Sequence, residues 1–170
     1  MIIRQEKQND FKEIYTVVKE AFASTEHSDG TEQDLVVALR NGNAYIPDLA
    51  LVAEKEGKII GHIMFSKAYV EDVCVLALAP LSVLPDFQLQ GIGLALINEG
   101  HKRAKELGYS YSVVLGHEKY YPKAGYAPAK NCGIEPPFEV PEKNFMAIKL
   151  GNDVNEIHGT LKYADEFGIS

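Results

Sequence analysis

The sequence predicts a mixed fold of α-helices and β-strands. Strand-like runs, either alternating or continuously apolar, take turns with segments whose apolar residues recur three and four apart. The clearest junction is near residue 91, where a strand and turn run directly into a helical pattern. No repeat, low-complexity tract or linker interrupts the 170 residues, so residues 1–170 are expected to form one domain.

Ile2-Ile3-Arg4 reads as a short first strand. Asp10 is expected to cap the next helix, with Glu13 completing a box-like arrangement. Ile14, Val17, Val18, Ala21 and Phe22 share one face of that helix. A second helix is expected over 31–40, with Leu35, Ala38 and Leu39 inward and Gly42 past its end. Segments 49–55 and 58–66 read as a hairpin on a tight Glu56-Gly57 turn.

Segments 69–75 and 76–83 are apolar and β-branched enough for two further strands. Pro80 cannot donate to a ladder, so it implies a bulge in the second of them. The helix over 93–107 carries Leu94, Ile97, His101, Ala104 and Leu107 on one side, and Gly108 stops it. Gly100 within it costs about 1 kcal/mol relative to alanine. A buried-type strand at 111–115, a helical turn near 118–123, a Pro/Gly loop at 131–143 and strands at 145–150 and 157–163 complete the chain.

Composition narrows the function. Apolar residues make up 46% and charged residues 24%, as in a globular protein rather than a disordered one. No apolar run reaches the roughly 18 to 20 residues that cross a bilayer, and the first residues lack a signal-peptide pattern. A cytoplasmic protein without a membrane partner is expected. The two cysteines, Cys74 and Cys132, are not spaced as Cys-x-x-Cys and read as free thiols. A net charge of −7 argues against nucleic acid as partner and permits a cationic substrate. Lys102, Arg103 and Lys105 read as a solvated helix face.

The informative stretch is Leu81-Ser82-Val83-Leu84-Pro85-Asp86-Phe87-Gln88-Leu89-Gln90-Gly91-Ile92-Gly93-Leu94: strand, turn, glycine pair, helix. A helix N-terminus leaves backbone N–H groups without partners and adds positive potential, which favours an anion such as phosphate. Gly91 and Gly93 remove Cβ atoms that would hold a diphosphate off the backbone, and Gln88 and Gln90 add uncharged amides. A helix that merely starts with glycines is the plain alternative. A P-loop is excluded by residue type, and a dinucleotide fingerprint would need glycine where the chain has Leu96.

Gln88-x-x-Gly91-x-Gly93 resembles the Gln/Arg-x-x-Gly-x-Gly/Ala signature of the GCN5-related N-acetyltransferase (GNAT) superfamily. The preceding Ala79-Pro80-Leu81-Ser82-Val83-Leu84-Pro85-Asp86 is similar to the bacterial YhbS-type branch. The likeness runs from the first strand to the Phe145 strand. It implies the GNAT-like fold: a mixed, mostly antiparallel twisted sheet with splayed central strands and flanking helices. It also implies that acetyl-CoA (coenzyme A) is held by strand residues Leu81, Ser82 and Val83, by Gln88, and by the loop amides of Leu89, Gln90, Gly91, Ile92, Gly93 and Leu94. Strand 111–115 would splay away to admit it.

Transfer of an acetyl group to an amine needs alignment, removal of an ammonium proton and protonation of the leaving thiolate. Tyr120-Tyr121-Pro122-Lys123-Ala124-Gly125-Tyr126 resembles the family's Tyr-x-x-x-Gly-Phe, which implies Tyr121 as the acid. A phenol is protonated at neutral pH and can donate; packing against the core or cofactor is the alternative role. Tyr120 is expected to pack. The strand over 76–83 has no carboxylate for a base, which leaves Glu71, Glu26, Glu118 and His117 as substitutes. Each of these also reads as a solvated residue, and His62 as a hydrogen-bonded strand histidine.

His27, His62, His101, His117 and His158 form no metal-ligand pattern, and no Gly-x-Ser-x-Gly elbow is present. Cys132 reads as an incidental loop thiol and Cys74 as a packed one. The expected activity is direct acetyl transfer to a primary amine of a small molecule or protein. A non-catalytic acyl-CoA-binding or regulatory module and a nucleotide-binding protein are the alternatives. An acceptor pocket is expected from 23–30 and 131–143, with Glu26, Asp29 and Glu32 favouring a cation, and a homodimer could form through the terminal strands.

Overall fold

The computed structural model describes residues 1–26, 28–152 and 154–169. His27 of the histidine survey lies outside the described residues. Nine strands are found among the described residues: β1 (Ile2–Gln5), β2 (Tyr45–Lys55), β3 (Lys58–Val70), β4 (Val73–Val83), β5 (Tyr111–Leu115), β6 (Ala127–Pro128), β7 (Ile134–Glu135), β8 (Phe145–Lys149) and β9 (Gly159–Lys162). The main path runs β1-β2-β3-β4-β5-β8-β6, with β9 paired to β3 and β7. The helices are α1 (Phe11–Phe22), α2 (Glu32–Arg40) and α3 (Ile92–Glu106). No helix among the described residues is long and apolar enough to cross a membrane.

The β2–β3 hairpin turns at Glu56 and Gly57, both with positive φ (52° and 77°), as a two-residue hairpin requires. Pairing that resumes at Tyr45 with Ser66, beyond a register shift from Ala50, makes β2 longer than the expected strand. The three strands expected over 58–66, 69–75 and 76–83 are two. Strand β3 continues to Val70, and the chain reverses at Glu71-Asp72, the two acidic residues in an otherwise apolar run. The bulge inferred from Pro80 is present. Two steps on β3, from Ile63 to Phe65, face three steps on β4, from Leu81 back to Leu78.

Helix α1 buries Ile14, Val17, Val18 and Ala21, as its periodicity requires. The expected capping box is replaced by longer-range bonds. Asp10 accepts from the Lys7 amide and pairs with Arg4 at 2.7 Å, while Glu13 accepts from the Ile59 amide at 2.8 Å. Helix α2 buries Val36 and Leu39 but exposes Ala38. Its rotation brings Arg40 onto buried Glu6, a pairing that apolar periodicity does not register. Helix α3 buries Leu96, Ile97, His101 and Ala104 and leaves Leu107 exposed. Gly100 is required because a Cβ there would strike the Phe65 ring.

The sheet has two differently covered faces. Gly61 faces Leu96 and Ile92 of α3. Its neighbour His62 points the opposite way, to Glu6 and thus to the α2 side. Strand β7 sits inside the expected loop over 131–143 and β6 just before it; at two residues each they are too short to carry a period.

Candidate active site

Strands β4 and β5 run parallel and pair only at Leu76 with Ser112 and Ala77 with Val113. Beyond that point they separate. The rest of β4, from Leu78 to Val83, has β3 on one side and no strand on the other. The Leu84 amide donates to the Ile60 carbonyl, which fixes the alternation along β4. Ser82 therefore turns its backbone to β3, while Leu81 and Val83 turn theirs to the open side. Two of the three strand residues expected to meet the cofactor thus face the slot. Ser82 does not: its backbone pairs with His62 and its side chain is 1% exposed.

Past the strand lies a groove of about 420 Å³, lined by Leu81, Val83, Phe87, Gln88, Leu89, Gly91, Ile92, Gly93, Leu94, Tyr120 and Lys123. The first hydrogen bond of α3 is from the Ala95 amide to the Gly91 carbonyl at 3.0 Å. The six consecutive amides from Leu89 to Leu94 have no acceptor among the described residues. Leu89 is fully exposed and held at φ 63°, a strained conformation for a branched side chain. That conformation belongs to the turn carrying the free amides.

The glycines act differently from expectation. Gly91 has φ 82° and open space where a Cβ would stand, so its need is conformational. Gly93 has ordinary φ, but a Cβ there would collide with the Tyr120 hydroxyl. Gln88 and Gln90 brace the turn itself. The Gln88 side-chain amide donates to the Val83 carbonyl at 3.1 Å, and that of Gln90 to the Asp86 carbonyl at 3.4 Å.

Tyr120, expected only to pack, is a wall of the groove. Tyr121 lies behind it, edge-on to Tyr120 (5.1 Å between ring centroids) and to Tyr126 (5.9 Å), with its ring against Gly116 at the end of β5. Burial pushes the Tyr121 phenol well above its ordinary range, so it stays protonated, and its hydroxyl has no hydrogen bond among the described residues. Tyr126 anchors this stack, with its hydroxyl 2.9 Å from His101 Nε2 and 2.8 Å from Ser112 Oγ. Burial, with Lys105 nearby, lowers the His101 imidazole to about 4, so it is neutral.

Sequence reasoning missed Phe87, Tyr120 and Lys123 as groove residues. Lys123 is exposed and has no carboxylate partner among the described residues. The Tyr-x-Lys spacing already placed Lys123 beside the tyrosines, but only the tertiary fold brings them to the glycine turn.

The candidate bases are scattered. Glu71 sits in the β3–β4 turn, at the opposite end of β4 from the groove. Glu118 accepts from Asn144 at 2.9 Å, and its carboxyl is held below its ordinary range by a backbone hydrogen bond and by Asn144. His117 Nδ1 accepts from the Lys119 amide, which leaves the proton of the neutral ring on Nε2, so its outer nitrogen donates. Glu26 is exposed in the loop after α1. Residues of the two expected acceptor segments line separate clefts, one with Ala23 and Ser24 and one with Lys130 to Gly133. Among the described residues no group of three His, Cys, Asp or Glu side chains could hold a metal ion.

The cradle fits a diphosphate: free amides at a helix N-terminus, a lysine at the rim, and no acidic wall. Residues 10–126 match the acetyltransferase (GNAT) family model. The uncharacterized N-acetyltransferase YjhQ of Escherichia coli K12 is 34% identical over 166 residues, covering 93% of this chain and 89% of that protein. The uncharacterized N-acetyltransferase YhbS of the same strain is 30% identical, with 98% of each covered. The crystal structure of Escherichia coli YhbS in complex with CoA aligns with a TM-score of 0.88 at 27% identity, over 98% of this chain and 91% of that one. A GNAT family acetyltransferase from Brucella melitensis, in complex with acetyl-CoA, aligns with a TM-score of 0.80 at 32% identity, over 98% and 97%. With the splayed sheet, the glycine turn and relatives matched almost end to end, this chain belongs to the GNAT family of acetyltransferases.

Proposed function

We propose that this chain is an acetyl-CoA-dependent N-acetyltransferase acting by direct transfer on a primary amine of a small molecule or protein. The observation that carries the reading is the run of six free amides from Leu89 to Leu94 at the mouth of the β4–β5 slot. When bound, acetyl-CoA supplies the thioester whose acetyl group the amine receives.

The chain's own residues supply the rest. Leu89 to Leu94 offer N–H donors to the diphosphate, and Lys123 adds a cation at the rim. The free backbone edge of Leu81 and the Val83 amide serve the extended arm, the Val83 carbonyl being held by Gln88. The apolar walls, Leu81, Val83, Phe87 and Tyr120, exclude water along it. Tyr121 holds a proton at Oη throughout the neutral range, available to a departing thiolate. The slot needs no nucleophilic cysteine. We further propose that residues 1–170 act as a single domain in the cytoplasm, and that the net charge of −7 favours a cationic acceptor.

Two measurements test this. Calorimetry should show uptake of coenzyme A, and a thiol-release assay with acetyl-CoA should show turnover with some member of an amine panel. Uptake without amine-dependent release would support a non-catalytic module; competition by ATP for the same site would support a nucleotide site.

A further inference from the structure

The cofactor strand β4 lacks a carboxylate, yet a proton acceptor lies one strand away. Three buried polar atoms have no hydrogen-bond partner among the described residues: His62 Nδ1, Ser66 Oγ and Ser82 Oγ. All three residues are at most 1% exposed. They share one face, because His62 is the cross-strand partner of Ser82 and Ser66 follows His62 by four residues on β3. They also flank the β4 bulge, with the His62–Ser82 pair on one side of it and the Ser66–Ala77 pair on the other. Buried polar groups are rarely left unsatisfied, and a polar, enclosed group of this kind is where a structural water sits.

His62 is oriented by a fixed anion. Its Nε2 lies 2.9 Å from Glu6 Oε1. Arg40 reaches the same carboxylate at 2.8 and 2.9 Å, and Tyr45 donates to it at 2.6 Å. An ionised carboxylate only accepts, so Nε2 carries a proton, and in the neutral ring Nδ1 then holds the lone pair. The two nitrogens occupy opposite edges of the ring. With Nε2 on Glu6, Nδ1 is the unpartnered nitrogen, on the residue that pairs across the strands with Ser82. Glu6, Arg40 and Tyr45 are the ionisable groups gathered around His62, and Ser66 and Ser82 are the hydroxyls.

We propose that His62 takes up the acceptor's proton through a water held at the bulge by Ser82. The inference rests on the cofactor reading above. One N–H bond of the ammonium breaks and its proton passes to the water. The water passes one proton to His62 Nδ1, where a new N–H bond forms. The resulting imidazolium keeps its Nε2 proton against Glu6 and later returns the other to that water. The arrangement divides the chemistry across the sheet. Tyr121 stacks on the α3 side through Tyr126 and His101, and His62 works from the opposite face.

Nitrogen-resolved NMR on the free protein tests the hydrogen bonding without turnover. His62 should show a protonated Nε2 and a hydrogen-bonded, unprotonated Nδ1, and Ser82→Ala should shift Nδ1 toward an unbonded nitrogen. A proton on Nδ1, or indifference to Ser82→Ala, overturns the relay. In kinetics, His62→Gln keeps an N–H toward Glu6 but has no basic nitrogen. Its kcat should fall about a hundredfold while the Kd for coenzyme A stays within twofold. Ser82→Ala, which spares the Glu6 cluster, should fall at least tenfold and serves if His62→Gln fails to fold. Unchanged kcat in folded, coenzyme A-binding variants overturns the relay and leaves the cofactor site standing. Failure of the unsubstituted protein to bind coenzyme A removes the cofactor reading first, and the relay with it.

Discussion

Lowering the pH should unfold this protein chiefly through Glu6. Burial opposes ionisation of that carboxyl, but hydrogen bonds from His62, Arg40 and Tyr45 outweigh it and bring it down from 4.5 to about 2. The folded value lies below the unfolded one, so as pH falls the unfolded chain takes up the proton first. The stabilisation is complete above about 4.5 and disappears as pH drops through about 2. A shift of that size corresponds to about 3 kcal/mol, of which about 2 are gone by pH 3. Urea unfolding between pH 7 and pH 3 reads this directly. Glu6→Gln should cost about 3 to 5 kcal/mol at pH 7, because Arg40 is left buried with no counter-charge. The same variant should lose the steep acid limb. Parallel acid limbs for the two proteins would refute the assignment, because the protons would then be going elsewhere.

Three further outcomes follow from the groove. Gly93→Ala should destabilise by about 1 to 3 kcal/mol in urea unfolding, since the Tyr120 hydroxyl must move, and Tyr120→Phe should recover part of the loss. Lys123→Ala should weaken coenzyme A binding about tenfold at low salt and reduce its salt dependence in calorimetry, as loss of a screened charge contact requires. Tyr121→Phe should lower kcat at least tenfold with little change in coenzyme A affinity; equal turnover would remove Tyr121 from the mechanism.

The order of elements and the glycine turn were legible because they are local. Helical periodicity, the Glu56-Gly57 turn and the Pro80 bulge each show within a few residues of sequence. What stayed hidden is what depends on rotation or long-range pairing. Arg40 turns α2 by reaching Glu6, which is 34 residues away. Tyr120 and Lys123 join the groove from a segment about 30 residues past Gly91. The glycine pattern gave the right positions for partly wrong reasons, because Gly93 makes room for a tyrosine ring that no local pattern could place there. Gln88 matched the signature, yet its side chain is spent on Val83.

Strand β4 explains why the site lies where it does. A strand bonded on both sides has no backbone to offer a ligand, and one bonded on neither has no fixed position. At Leu76 and Ala77, β4 is held by both β3 and β5; past them, only β3 remains. The register with β3 keeps Leu81 and Val83 rigid, while the outer edge of Leu81 and the Val83 amide stay free. The bulge at Pro80 sits between those two regimes. It breaks the ladder at the point where the slot opens, between the His62–Ser82 pair and the Ser66–Ala77 pair, whose polar atoms are left without partners. Deleting Ala79 would straighten this bulge without moving the residues beyond it: Leu81 stays opposite Ile63 and Leu78 opposite Phe65, so only the break in the ladder beside His62 closes. A deletion of Ala79 that leaves a folded protein should therefore keep coenzyme A binding and lose turnover, as His62→Gln should.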